Sequence, residues 1–148
     1  MVEIHNLTRI SVKKDFLKKI VKEILKKENK KGVISVILVN SRRIWQLNKK
    51  YRRENKKTDV LSFPVAPKEK IFFPVVGAKK IEKELGEIII CPQEVKKNSK
   101  IFGLGFEKEL KRVLIHGVLH LLGYNHEKSK REAEIMRIKE EYYLCQFF

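Results

Sequence analysis

Cysteine is scarce in this chain of 148 residues: only Cys91 and Cys145 are present, and they form no CxxC pair. That excludes a disulfide framework and a thiolate zinc site. It leaves two small, buried, apolar side chains in a reducing compartment as the expectation. Long apolar runs are missing too. None approaches the ~20 residues that a bilayer-spanning helix requires, so no membrane association of that kind is expected. Residues 1–16 (MVEIHNLTRISVKKDF) show neither an apolar h-region nor a small-residue cleavage site. A signal peptide is therefore not expected, and the protein reads as cytoplasmic. Acidic residues are the third shortage. Asp and Glu number 18 against 34 Lys and Arg, a net charge of +16.

A positive field of that size gathers polyanions, nucleic acid above all. The other reading is a solvated Lys-rich surface, since Lys and Glu enrichment also marks hyperthermophile proteins. Enrichment of both together leaves the charge near balance, which favours the polyanion. The length suits one domain over residues 1–148, large enough to bury a core without staples. An apolar content of 43% is ordinary for a globular chain.

Periodicity places the elements. Apolar residues at Phe16, Leu17, Ile20, Val21, Ile24 and Leu25 recur at helical spacing, so residues 13–27 form an amphipathic helix. Residues 33–39 (VISVILV) read as a strand buried on both faces. Ser41 offers an N-cap to a helix running to about Arg52, with Ile44, Leu47 and Tyr51 on one side. Val60 to Phe63 is a short strand closed by Pro64. Residues 64–85 carry three of the four prolines and are the least regular stretch, with a hairpin arm expected at Phe72 to Val76. Residues 87–91 (EIIIC) read as a further strand, and Pro92 opens a short helix to about Lys100. Residues 107–122 are apolar on most sides and read as a buried helix that ends at Gly123. A last amphipathic helix, from Ser129 to about Cys145, turns Ala133, Met136 and Leu144 to the core. Helices and strands without regular βαβ alternation imply an α+β fold. The expected architecture is one small mixed sheet with about five helices around it and a central buried helix.

That helix carries the chemistry. Three of the four histidines fall in HGVLHLLGYNH, residues 116–126. His5 stands apart as an ordinary surface or strand residue. His116 and His120 are four apart, so both imidazoles lie on one face of the helix. Gly123 can end the helix in a left-handed conformation and return the chain, so that His126 supplies a third nitrogen. Three protein ligands leave one position of a tetrahedral zinc ion open to water, the arrangement of a catalytic site. The alternative is core histidines satisfied by backbone carbonyls. Two unpaired imidazoles in so apolar a helix would each cost roughly 1–3 kcal/mol, a cost that a shared ion removes. The spacing is also that of the metzincin proteases, where a Glu after the first His is the general base. Here that position is Gly117, which cannot accept a proton.

The second signal is basic. Residues 48–64 read NKKYRRENKKTDVLSFP. Arg52 and Arg53 are suited to bidentate phosphate binding, and Tyr51 to stacking on a base. A solvated basic turn with Tyr51 as its anchor explains the same residues, and composition does not choose between the two.

Taken together, YR…KxTDVLSFP and HGxLHLLGYxH resemble YbeY, the bacterial rRNA maturation endoribonuclease family, and the likeness runs over nearly the whole chain. The resemblance implies a zinc-dependent, single-strand-specific endoribonuclease acting in 16S rRNA 3′-end maturation and ribosome quality control. Its partners would be ribosomal RNA and the small ribosomal subunit. It implies one zinc ion on His116, His120 and His126, with Arg52 as the functional arginine. Thr58 to Pro64 would form the strand beside the cleft. Tyr51, Arg53, Lys56 and Lys57 are then the candidate RNA-binding residues. Two positions depart from the family pattern. Asn125 stands where Asp usually precedes the third histidine, and Gly86-Glu87 replaces Gly-Asp. Asn keeps hydrogen bonding but loses the charge that tunes a ligand's basicity.

No general base is evident, and attack by water and attack by the RNA 2′-hydroxyl are both open. Two rival classes are a metalloprotease-like hydrolase, resting on the histidine spacing, and a non-enzymatic ribosome assembly factor with a structural metal, which needs a closed four-ligand site.

Overall fold

The structure is a computed structural model and describes residues 1–65 and 83–147. Four strands and five helices occur among these residues, in the order β1 (Val2–Asn6), α1 (Lys14–Lys27), β2 (Val33–Leu38), α2 (Ser41–Arg52), β3 (Val60–Pro64), β4 (Glu84–Ile90), α3 (Pro92–Ile101), α4 (Phe106–Leu121) and α5 (Lys130–Gln146). The strands form one sheet in the order β1-β2-β4-β3. β2 runs parallel to both of its neighbours, and β3 is antiparallel to β4. The fold is thus α+β with a mixed sheet. The hairpin arm expected at Phe72 to Val76 lies outside the described residues.

The near-continuous apolar run of β2 has a direct cause: both faces of the sheet are covered. Alternate residues divide between two cores. Ile34, Val36, Leu38, Ile88 and Ile90 face α1, α4 and α5 in the larger core. Ile37, Val39, Ile89, Cys91 and Leu61 face α2, which contributes Ile44 and Leu47. The period-two geometry of a strand sends neighbours to opposite faces, so both sets must be apolar.

Several boundaries differ from expectation. β1 carries no sequence signal strong enough to announce it. It is five residues long and buries only Val2 and Ile4, yet it pairs in register from Val2 opposite Ile34 to Asn6 opposite Leu38. His5 lies within it, as a strand residue. The cap of α2 is Asn40, whose Oδ1 accepts from the Arg43 N–H at 2.8 Å. Ser41 is instead the first helical residue, and its hydroxyl donates to Gln93 Oε1 at 2.8 Å. β4 begins three residues earlier than Glu87, at Glu84, and carries a register irregularity between Glu84 and Gly86. Gly86 has φ of 146°, and a Cβ there would run into the carbonyl oxygen of Phe63. On α5 the buried aromatic is Tyr143, with Leu144 only partly covered. Cys91 is buried as expected, but Cys145 is exposed on the outer face of α5.

Candidate metal centre

α4 lies against β3 and β4, and its contact with the sheet depends on Gly117. A Cβ at that position would meet Ile88 Cγ2 at 2.9 Å and Ser62 Oγ at 3.2 Å. The Ser62 hydroxyl donates to the Gly117 carbonyl at 3.2 Å. Position 117 therefore faces the sheet, and a side chain there would be spent on packing. His116 and His120 project from another side of the same helix.

The helix ends as its residues dictate. Leu122 caps it, and Gly123, at φ of 102°, bonds back to the His120 carbonyl and reverses the chain. Asn125 then closes a small turn, its Oδ1 accepting from the Glu127 N–H at 2.9 Å. This turn brings His126 over the end of α4. The ring centroids of His116, His120 and His126 are 4.7, 5.2 and 5.1 Å apart, pair by pair. One nitrogen from each ring falls within 4.8 Å of the others, so the three could hold one metal ion. Among the described residues, no cysteine or carboxylate joins that group.

The electrostatics suit a cation. Burial, then the proximity of His116 and His126, pushes His120 down to about 4 from its ordinary 6.5. A neutral imidazole is the form that ligates metal, so the protein holds this ring ready near neutral pH. His116 is oriented from behind: its Nδ1 lies 2.5 Å from Glu140 Oε1 on α5. A carboxylate on the second ring nitrogen fixes tautomer and orientation and raises ligand basicity. The donor set, its uncharged member and this carboxylate together fit a divalent transition-metal ion.

A second polar group braces the same elements. Glu28, at the end of α1, accepts from Tyr124 at 2.5 Å, from Tyr143 at 2.5 Å and from Lys139 at 3.0 Å. Tyr124 stands two residues before His126, and Lys139 adjoins Glu140. Burial raises the Glu28 carboxyl, but the two hydroxyls and Lys139 outweigh it and hold the group below its ordinary range.

The three histidines sit in a cleft of about 390 Å³, walled by Arg52, Lys56 and the residues from Thr58 to Ser62. Arg52, the last residue of α2, reaches Glu127 Oε1 at 3.8 Å, and the same oxygen is 3.9 Å from His126 Nε2. The arginine is thus tied to the loop that carries the third histidine. The turn after α2 is held by buried Asn48, whose Nδ2 donates to the Lys56 carbonyl at 2.9 Å. Asn48 and Glu54 also line the cleft, whereas the candidate RNA-binding residues Tyr51, Arg53 and Lys57 are not among its lining. Tyr51 packs edge-on against Phe63 at 5.5 Å, and Arg53 occupies the left-handed C-cap of α2. Lys57 lines a neighbouring hollow. Of the two positions that depart from the pattern, Asn125 lines the cleft and Glu87 is buried in β4 opposite Phe63.

The family model for Endoribonuclease YbeY matches residues 3–147. The chain belongs to this family. An Endoribonuclease YbeY from Persephonella marina is 39% identical over 127 residues, covering 85% of this chain and 78% of that protein. One from Carboxydothermus hydrogenoformans is 36% identical over 145 residues, covering 95% and 93% of the two chains. A solution structure from Thermotoga maritima superposes with a TM-score of 0.67 at 33% identity, covering 99% of this chain and 89% of that one. The YbeY pattern thus extends over both segments that form the cleft. Sequence reading missed Glu140, Glu28 and Glu127 here. Each is one acid among many on a helix or in a loop, and only the fold shows that Glu140 reaches His116, that Glu127 reaches His126 and that Glu28 reaches Tyr124, two residues before the third histidine.

Proposed function

We propose that this chain is a zinc-dependent endoribonuclease that cuts single-stranded RNA, working in the cytoplasm on the 3′ end of small-subunit ribosomal RNA during maturation and quality control. One observation carries the reading. Three imidazoles converge on a common centre beside an arginine, inside a cleft of a protein with a net charge of +16. Membership of the YbeY family supports the RNA substrate, and the small ribosomal subunit follows as the partner.

In this reading His116, His120 and His126 hold the ion. When bound, zinc supplies Lewis-acid polarisation of a phosphoryl oxygen and acidification of a water. Glu140 keeps the His116 ring aimed at the centre. Arg52 binds the scissile phosphodiester, exchanging its contact with Glu127 for one with substrate, and takes up the charge that grows on the phosphate. Lys56 adds charge to the cleft wall. Tyr51, Arg53 and Lys57 meet the strand outside the cleft. The attacking oxygen gives up its proton as it forms its bond to phosphorus, and the 5′-oxygen leaves and takes one, so that no net proton is gained or lost at the ester.

The protease reading loses its base for a steric reason as well as a chemical one, because position 117 packs against Ile88 and Ser62. The test is cleavage of single-stranded RNA and of an unstructured polypeptide by wild type, Arg52→Ala and His120→Ala. Loss of RNA cleavage in both variants, with the polypeptide intact throughout, is the expected result. Proteolysis abolished by His120→Ala, without RNA cleavage, overturns it. A 2′,3′-cyclic phosphate on the products assigns the attack to the RNA 2′-hydroxyl and excludes direct attack by water.

A further inference from the structure

Beside the metal cleft lies a second hollow, lined among others by Lys57, Lys96, Lys97, Lys100, Ser41 and Gln93. The two adjoin. Lys56 lines the cleft and Lys57, the next residue, lines the hollow. Asp59 of the cleft wall joins them twice. Its carbonyl accepts from the Cys91 N–H at 2.9 Å, where α3 begins, and its carboxylate accepts from Asn98 Nδ2 on α3 at 3.3 Å. α3 is therefore held to the wall of the cleft, and its basic side has a set position relative to the histidines.

That side is predominantly basic, with four lysines against one carboxylate lining the hollow. Lys96, Lys97 and Lys100 are all exposed, and Lys96 and Lys100 stand one helical turn apart. Glu94 is the one carboxylate lining the hollow among the described residues. It is drawn to Lys97 at 3.8 Å and accepts from the Ser41 hydroxyl at 3.4 Å. Lys57, Lys96 and Lys100 have no carboxylate partner among the described residues. Among the described residues no aromatic ring lines this hollow, and those that do line it offer mainly cationic and hydrogen-bonding groups. Such a surface suits the phosphates of a strand and does not read its bases.

We infer that Lys57 and the α3 lysines Lys96, Lys97 and Lys100 form a second phosphate-binding stretch, which carries the RNA strand out of the metal cleft and grips it away from the bond that is cut. This rests on the reading of the cleft as an RNA-cleaving site. It adds a consequence that the cleft alone does not have: affinity should grow with strand length beyond what the cleft can hold.

The test compares wild type with the triple variant Lys96→Gln, Lys97→Gln and Lys100→Gln. Two single-stranded RNAs share one cleavage site. One is just long enough to fill the cleft, and the other extends past it. Binding is read by fluorescence anisotropy with a chelator present, over a range of salt. Cleavage is read separately on the metal-loaded protein. Wild type should bind the long RNA more tightly and with the steeper salt dependence. The variant should lose that advantage, its slope of log affinity against log salt falling by about 2 for three lost contacts at about 0.7 each. Cleavage of the short RNA should be unchanged. Equal slopes for variant and wild type on the long RNA overturn the proposal and leave these lysines as solvated surface. Equal losses on both RNAs overturn it too, by placing the effect in the cleft. Failure of the nuclease reading shows elsewhere, as absence of cleavage of either RNA by loaded wild type.

Discussion

Removing Glu140 should weaken metal binding without disturbing the three ligands. Its carboxylate lies 2.5 Å from His116 Nδ1. The two side chains are 20% and 25% exposed, so water takes little from the interaction. Partners of this kind are worth about 10–100-fold in metal affinity. That equals about 1.4–2.8 kcal/mol, since each tenfold is about 1.4 kcal/mol. Glu140→Gln keeps an acceptor on the ring but loses the charge, and is expected at the tenfold end. Glu140→Ala also frees the ring to turn, and is expected near the hundredfold end. Competition for zinc against a chromophoric chelator at neutral pH measures both variants. Circular dichroism of the metal-free proteins checks that α5 still forms. Zinc binding by Glu140→Ala as tight as that of wild type would refute the reasoning, because the carboxylate would then be an ordinary surface neighbour of His116.

Further outcomes at Glu28, His120 and Gly117 follow from the same geometry. The Glu28 side chain is 8% exposed and serves three donors, so Glu28→Ala should destabilise the fold by about 2–3 kcal/mol in thermal melts. Because the folded Glu28 carboxyl lies below its ordinary 4.5, its contribution is complete above that value and disappears as pH falls through the folded one. Glu28→Gln should therefore flatten the acid limb of the stability curve. His120, held near 4 against an ordinary 6.5, makes the unfolded chain bind more protons between those values. The metal-free protein should gain stability as pH rises from about 4 to about 6.5 and then level off, and denaturant titrations of His120→Asn should show a shallower rise. Gly117→Ala gains about 1 kcal/mol of helix propensity but forces a Cβ against Ile88, at about 1–3 kcal/mol of overpacking. A net loss of about 1 kcal/mol should appear as a melting point lower by several degrees.

Much of the architecture was legible because burial imposes periodicity. The stripe on α1 and the unbroken apolar run of β2 each have one physical solution. β1 was not legible, since five residues with two buried side chains carry too little pattern to distinguish a strand from a loop. The cap of α2 fell one residue from its expected place because Asn40 and Ser41 are both good capping residues, and the contact of Ser41 with Gln93 comes from a distant part of the chain. On α5, Tyr143 takes the buried place because its hydroxyl reaches Glu28. The histidine cluster was legible because all three residues lie within one helix end and one turn. What supports it was not: Glu140 is 24 positions from His116, and Glu28 is 96 positions from Tyr124. No local spacing rule joins residues so far apart. Lys57 and the α3 lysines are likewise brought together only by the packing of α3 on Asp59.

The central claim is that the imidazoles of His116, His120 and His126 share one ion. Metal content per chain, measured by mass spectrometry after equilibration with zinc and removal of the excess, tests it most directly. The expected result is one zinc per wild-type chain and close to none for His120→Ala, with circular dichroism showing the variant folded. A folded His120→Ala that keeps a full equivalent of zinc, or a wild type that keeps none, would contradict the account.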